Sequence, residues 1–138
     1  MTRIESEKVT LHNTAENIFN FLNNFNNLAQ VMPEQVSNWA STECECSFTI
    51  NGMANIGMRI DSTTAHSSIN IIANGKNPFS FNWAILLTGI SLQECSVQSV
   101  FNADLNPMLK LMLEKPLTNF FNLFIAKLKV AYPLHIKE

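Results

Sequence analysis

Leu-Thr-Asn-Phe-Phe-Asn-Leu-Phe-Ile-Ala-Lys-Leu-Lys-Val-Ala, residues 117–131, is the stretch whose reading decides the fold. Leu117, Phe120, Phe121, Phe124, Ile125, Leu128 and Ala131 recur at spacings of three and four. That period places them on one face of a helix, with Thr118, Asn119, Asn122 and Lys129 opposite. A helix carrying so many large apolar side chains needs a broad apolar surface to lie on. The helix is expected to open at Asn106-Pro107, with Pro107 in its first turn. Pro116 predicts either a kink or a short segment, 108–115, joined to a longer helix from Leu117. Met108, Leu109, Leu111, Met112 and Leu113 ring that first segment instead of sharing a face. A segment apolar all round is expected to be covered. It is read as a portal, as a contact with a second chain, or as core packed on the N-terminal helices.

Working back from the helix, the period changes to two. Between Gln35 and Leu105 the sequence predicts six strands: 36–41, 43–51, 54–62, 68–74, 79–88 and 94–105. Asn51-Gly52 and the stretch 74–78 are turn signals between them. One apolar side and one polar side per strand predicts antiparallel pairing. Residues 5–12 predict a first strand. Asn13 is the expected cap of a short helix, with Glu16 reaching back to it, and Ala15, Ile18, Leu22 and Phe25 follow at helical spacing. A second short helix, about 26–31, stops at Pro33.

Of the 138 residues, 46% are hydrophobic and only 14% charged, where about 25% charged is usual. Asparagine, at 18 residues, fills the polar deficit without adding charge. Nine basic and 11 acidic residues leave a net charge of -2 with no basic stripe, so no nucleic-acid partner is expected. Residues 1–10 are too polar for a signal peptide, and no apolar run reaches the ~18 residues of a membrane span. Three cysteines argue against a disulfide framework. A cytoplasmic location, one domain spanning 1–138 and no cofactor are the expectations.

Residues 9–19 (Val-Thr-Leu-His-Asn-Thr-Ala-Glu-Asn-Ile-Phe), 28–33 (Leu-Ala-Gln-Val-Met-Pro), 79–83 and the terminal helix together resemble the START-like, or SRPBCC (Bet v 1-like), superfamily. The resemblance covers nearly the whole chain as an order of elements. It implies an α+β helix-grip fold: a seven-stranded antiparallel sheet, two short N-terminal helices and a long C-terminal helix over an apolar cavity. It also implies binding or transport of a small hydrophobic molecule of lipid, sterol or polyketide-like type. Some members are cyclases or dehydratases and others are chaperone cofactors, so a cyclase-type enzyme or a protein-binding module is the alternative; fold alone does not choose.

A ligand site of this kind is largely apolar. The expected lining is Phe81, Trp83, Phe120, Phe121 and Phe124, with Ile60, Ile71 and Leu117 beside them. Met32, Met58 and Met112 are expected to adapt its shape, and Tyr132 to place a hydroxyl near one end. Cys44 and Cys46 are two apart, hence on one strand face, and are expected to be buried. Their spacing does not suit a zinc site. His12, His66 and His135 lack acidic partners in sequence, so no nucleophile–base pair or metal site can be assembled. Arg59 and Asp61 are expected to ion-pair across strands in water, unless a twist turns Arg59 toward a ligand carboxylate. Catalytic residues are not assigned; a homodimer is a possible assembly.

Overall fold

In a computed structural model the backbone is described for residues 2–136 and the side chains for residues 2–130. The expected contributions of Ala131, Tyr132 and His135 lie outside the described side chains. Eight strands form one antiparallel sheet in the order β1-β8-β7-β6-β5-β4-β3, with β2 also paired to β8. The strands are β1 (Thr2–Glu5), β2 (Val9–Leu11), β3 (Val36–Ser41), β4 (Glu45–Ile50), β5 (Ala54–Thr64), β6 (Ser68–Ala73), β7 (Phe81–Ser91) and β8 (Glu94–Ala103). Helices α1 (Ala15–Leu22) and α2 (Phe25–Leu28), followed by a 3-10 turn at Ala29–Val31, join β2 to β3. Helix α3 (Pro107–Ile136) closes the chain and packs on β1, β2, β8, the 3-10 turn and α1. This is the expected α+β helix-grip arrangement.

The expected first strand is broken in two, which raises the strand number from seven to eight. The cause is Ser6. Its backbone N–H donates to the Ser99 carbonyl at 2.9 Å, and the Ser99 N–H donates to Ser6 Oγ, also at 2.9 Å. Gln98 Nε2 adds a bond to the Ser6 carbonyl at 3.0 Å. A buried serine thus trades ladder bonds for a local knot, and β1 and β2 each pair separately with β8. The following Glu7 N–H donates to Asn122 Oδ1 at 3.0 Å, tying that break to α3.

The cap of α1 also differs by one residue from expectation. Thr14 Oγ1 accepts from Asn17 N at 3.0 Å, and Asn13 instead accepts from Thr14 N and Asn17 Nδ2. At α3 the reading holds: Asn106 Oδ1 accepts from Leu109 N at 2.9 Å, and Pro107 begins the helix. The helix runs as one assigned element through Pro116. That proline has no N–H to give the Met112 carbonyl, so the ladder lacks a bond there. Among the expected turns, Met53 N–H donates to the Ile50 carbonyl at 2.9 Å, with Gly52 at φ +78, a conformation glycine adopts without strain. Gly57 is required for another reason: a Cβ there would sit 2.4 Å from the Asn74 carbonyl oxygen.

Strand register carries the alternation across the sheet. Phe81 opposes Ala103, Trp83 opposes Phe101, Ile85 opposes Ser99 and Leu87 opposes Val97. Ile71 opposes Trp83, and Phe48 opposes Ile56. These residues share the inner face, where α3 lays Leu117, Phe120, Phe121, Phe124, Ile125 and Leu128, all buried.

Candidate functional site

The inner sheet face and α3 do not meet completely. They leave a cavity of about 30 Å³, the room of about two water molecules. From the sheet, Phe48, Ile50, Ile56, Met58, Phe81, Trp83 and Phe101 line it. From α3 come Leu117, Phe120 and Phe121; Met32, Met53 and Phe79 enter from turns. Every lining side chain is apolar or aromatic.

The aromatic wall is built by mutual contact. Phe81 stacks on Phe101 at 5.2 Å, and Phe101 meets Phe121 at 4.8 Å. Phe120 stands edge-on to Phe121 at 5.2 Å, and Trp83 touches Phe121 at 5.4 Å and Phe124 at 5.3 Å. Offset and edge-to-face contacts at these distances are the favourable ones for rings with negative faces and positive edges. Trp83 is fixed further by its polar end. Its Nε1–H donates to Ser99 Oγ at 2.6 Å, in a buried pair. The knot of Ser6 and Ser99 that breaks the first strand therefore also orients the central tryptophan of the wall.

Seven of the eleven expected lining residues meet at this cavity: Met32, Met58, Phe81, Trp83, Leu117, Phe120 and Phe121. Phe124 and Ile71 are fully buried but do not line it; Phe124 packs edge-on to Trp83, and Ile71 pairs with Trp83 across the sheet. Ile60 is half-buried, where the register of β5 against β6 shifts. Met112 is a correction. It is 60% exposed and is not among the residues lining the cavity. Met108 and Leu111 stand out with it, at 71% and 86% exposed, while Leu109 and Leu113 are half-buried. Of the three readings of this ring, burial on the N-terminal helices does not hold for Met108, Leu111 and Met112. Sequence reasoning missed Phe48, Ile50, Met53, Ile56, Phe79 and Phe101 as lining. Five of these lie in or next to the alternating strands, where period marks a face but not a distance from the helix. Met53 sits in a turn and carried no signal.

The polar candidates separate from the site. Cys46 is buried, and loss of solvation pushes its thiol up to about 12. Cys95 is buried too, and its thiol is raised by the same cause, opposed in part by a backbone hydrogen bond at Thr88. Cys44 is exposed, against expectation, because it precedes the first paired residue of β4. Arg59 and Asp61 pair along one strand, not across strands, at 3.8 Å, and Arg59 stays on the outer face. His12 does have an acidic neighbour: its Nδ1 lies 3.4 Å from Glu94 Oε2, brought there by the pairing of β2 with β8, and both are solvated. His66 packs edge-on to Phe19 at 5.6 Å. Among the described residues, no group of three His, Cys, Asp or Glu side chains is placed to hold a metal. Among them, too, no helix is long and apolar enough to cross a membrane.

No protein-family model matches this chain, and no curated protein matches it in sequence. Solved structures do match in shape. XoxI from Bacillus cereus superposes with a TM-score of 0.77 at 12% identity, covering 96% of each chain. The di-domain aromatase/cyclase BexL gives 0.79 at 15% identity, over 100% of this chain and 48% of BexL, so this chain spans about half of that protein. A protein from Thermus thermophilus gives 0.76 at 9% identity, over 99% of this chain and 100% of the other. At such identities the likeness is one of fold.

Proposed function

We propose that the protein binds a small hydrophobic molecule non-covalently between its sheet and α3. The observation that carries this reading is the wall itself: side chains from sheet, helix and turns converge on one interior space, and all are apolar. A cyclase or dehydratase needs titratable groups converging on the substrate. This wall supplies no Asp, Glu, His, Lys or Arg among the described residues, so binding is favoured over acid–base chemistry.

The cavity of about 30 Å³ must widen to admit a ligand. Met32, Met53 and Met58 supply unbranched, readily repacked side chains. The first turns of α3, with Met108, Leu111 and Met112 exposed, end at the missing bond of Pro116. Removing ~300 Å² of apolar ligand surface from water would yield about 7 kcal/mol, and widening and immobilisation reduce it. Affinities near or weaker than about 10 µM follow.

Leu117→Phe tests the reading, since it fills the cavity from α3. Naphthalene-type probes are expected to bind the parent protein and to lose more than tenfold in affinity to the variant, with stability changed by less than about 1.5 kcal/mol. Equal binding to both, or none to the parent, would defeat the proposal. A second reading rests on Met108, Leu111 and Met112: this exposed apolar face would be covered by a second copy of the chain.

A further inference from the structure

We infer that the indole N–H of Trp39 is the polar anchor of the interior site, and that the ligand is a neutral apolar molecule bearing a hydrogen-bond acceptor, a carbonyl or ether oxygen. The inference rests on the binding reading above and adds the chemistry of the ligand.

Three observations converge on Trp39. The first is local. Val36 pairs with Ile50 and Ser37 with Thr49, but then Ala40 pairs with Ser47. Two residues of β3, Asn38 and Trp39, therefore face the single residue Phe48. Asn38 takes up the extra length in the left-handed region, at φ 57, with its amide 3.4 Å from Thr49 Oγ1. In regular register Asn38 would point inward. The bulge sends Trp39 there instead. Bulges re-aim side chains in this way and recur beside functional sites.

The second observation is the company Trp39 keeps. Its ring stacks on Phe48 with centroids 5.1 Å apart and planes 22° from parallel. Phe48 is itself part of the cavity wall. β3 is the last strand of the sheet, hydrogen-bonded on one side only. Trp39 is half-buried and does not itself line the cavity; it stands behind Phe48, so a ligand meets its indole when the cavity widens toward this edge.

The third is the state of the indole. Trp39 Nε1 is buried and has no hydrogen-bond partner, alone in this among the buried side-chain N and O atoms of the described residues. The other tryptophan, Trp83, has Ser99 for the same group. Burying an unpaired N–H is unfavourable, and native proteins rarely tolerate one. An indole N–H only donates, so it selects an acceptor. An ionised carboxylate is disfavoured, because among the described residues no Lys or Arg lines the cavity and the charge would be buried unpaired.

Two probes of nearly one shape test this: 2-acetylnaphthalene, which carries a carbonyl, and 2-isopropylnaphthalene, which does not. Dissociation constants are measured for the parent protein and for Trp39→Phe, and indole resonances are followed in ¹⁵N-labelled parent protein. The parent's preference for the ketone is expected to fall about threefold to tenfold in Trp39→Phe. The Trp39 indole proton is expected to move on adding the ketone and much less on adding the hydrocarbon. If both probes bind the parent but the preference is unchanged in the variant, or the Trp39 signal responds alike to both, the inference is overturned and the binding reading survives. If neither probe binds the parent, both fall. The resonance measurement needs no variant, so a Trp39→Phe chain that misfolds does not shield the inference.

Discussion

Single residues in this chain gain their roles from where the backbone breaks its own rules. Ser99 occupies an inward position between Val97 and Phe101, where the strand period calls for an apolar side chain. It is buried because it serves two partners, accepting from Trp83 Nε1 and bonding through its backbone to Ser6. Ser99→Ala would strand the Trp83 N–H in the core. A loss of about 1–3 kcal/mol in denaturant unfolding is expected, with the fold retained; a loss below about 0.5 kcal/mol would mean that the pair contributes little. The serine was visible in the sequence as an interruption of the apolar face, but its partner was not. Ser6 lies 93 residues away, and only three-dimensional pairing joins them. Trp39 was hidden similarly, since its inward direction depends on a bulge that no period announces.

Elements were more legible than residues. The six strands between 36 and 103 emerge within about two or three residues of expectation at most ends, because a half-buried antiparallel strand writes its faces into alternate positions. The later part of α3 was equally plain. Leu117, Phe120, Phe121, Phe124, Ile125 and Leu128 are all buried as their spacing requires. The earlier part was open between portal, interface and core. Met108, Leu111 and Met112 face solvent within the chain, which removes the core alternative, because period marks a face and not what lies beneath it. Leu111→Asp distinguishes what that face does. The side chain is 86% exposed, so monomer stability should change by less than about 0.5 kcal/mol. If a second copy covers the face, light scattering should report a fall from dimer to monomer mass. An unchanged mass would remove the self-association reading.

At the scale of the molecule, the thiols of Cys46 and Cys95 are, among the described residues, the two whose ionisation burial clearly opposes. Both are raised on folding, so the native chain holds its protons where the unfolded chain has released them. The stability they contribute is complete below the unfolded value, 9.0, and is lost as pH climbs toward about 12 for Cys46. Unfolding free energy should therefore decline above pH 9, and Cys46→Ala should flatten that decline; a slope unchanged by the substitution would contradict the burial argument. At this scale the sequence disclosed the fold class and seven of the thirteen residues that line the cavity. It did not disclose the cavity's size, about 30 Å³, which depends on how closely α3 approaches the sheet.

An open sheet leaves two borders where a foreign strand could attach. Here both are poor templates. β1 is four residues long and carries Arg3 and Glu5. β3 is distorted at Ser37–Ala40 by its extra residue. The same irregularity that swings an indole inward therefore also denies neighbouring molecules a straight row of amides to copy, and works against fibrillar growth in a chain with so little charge to keep copies apart.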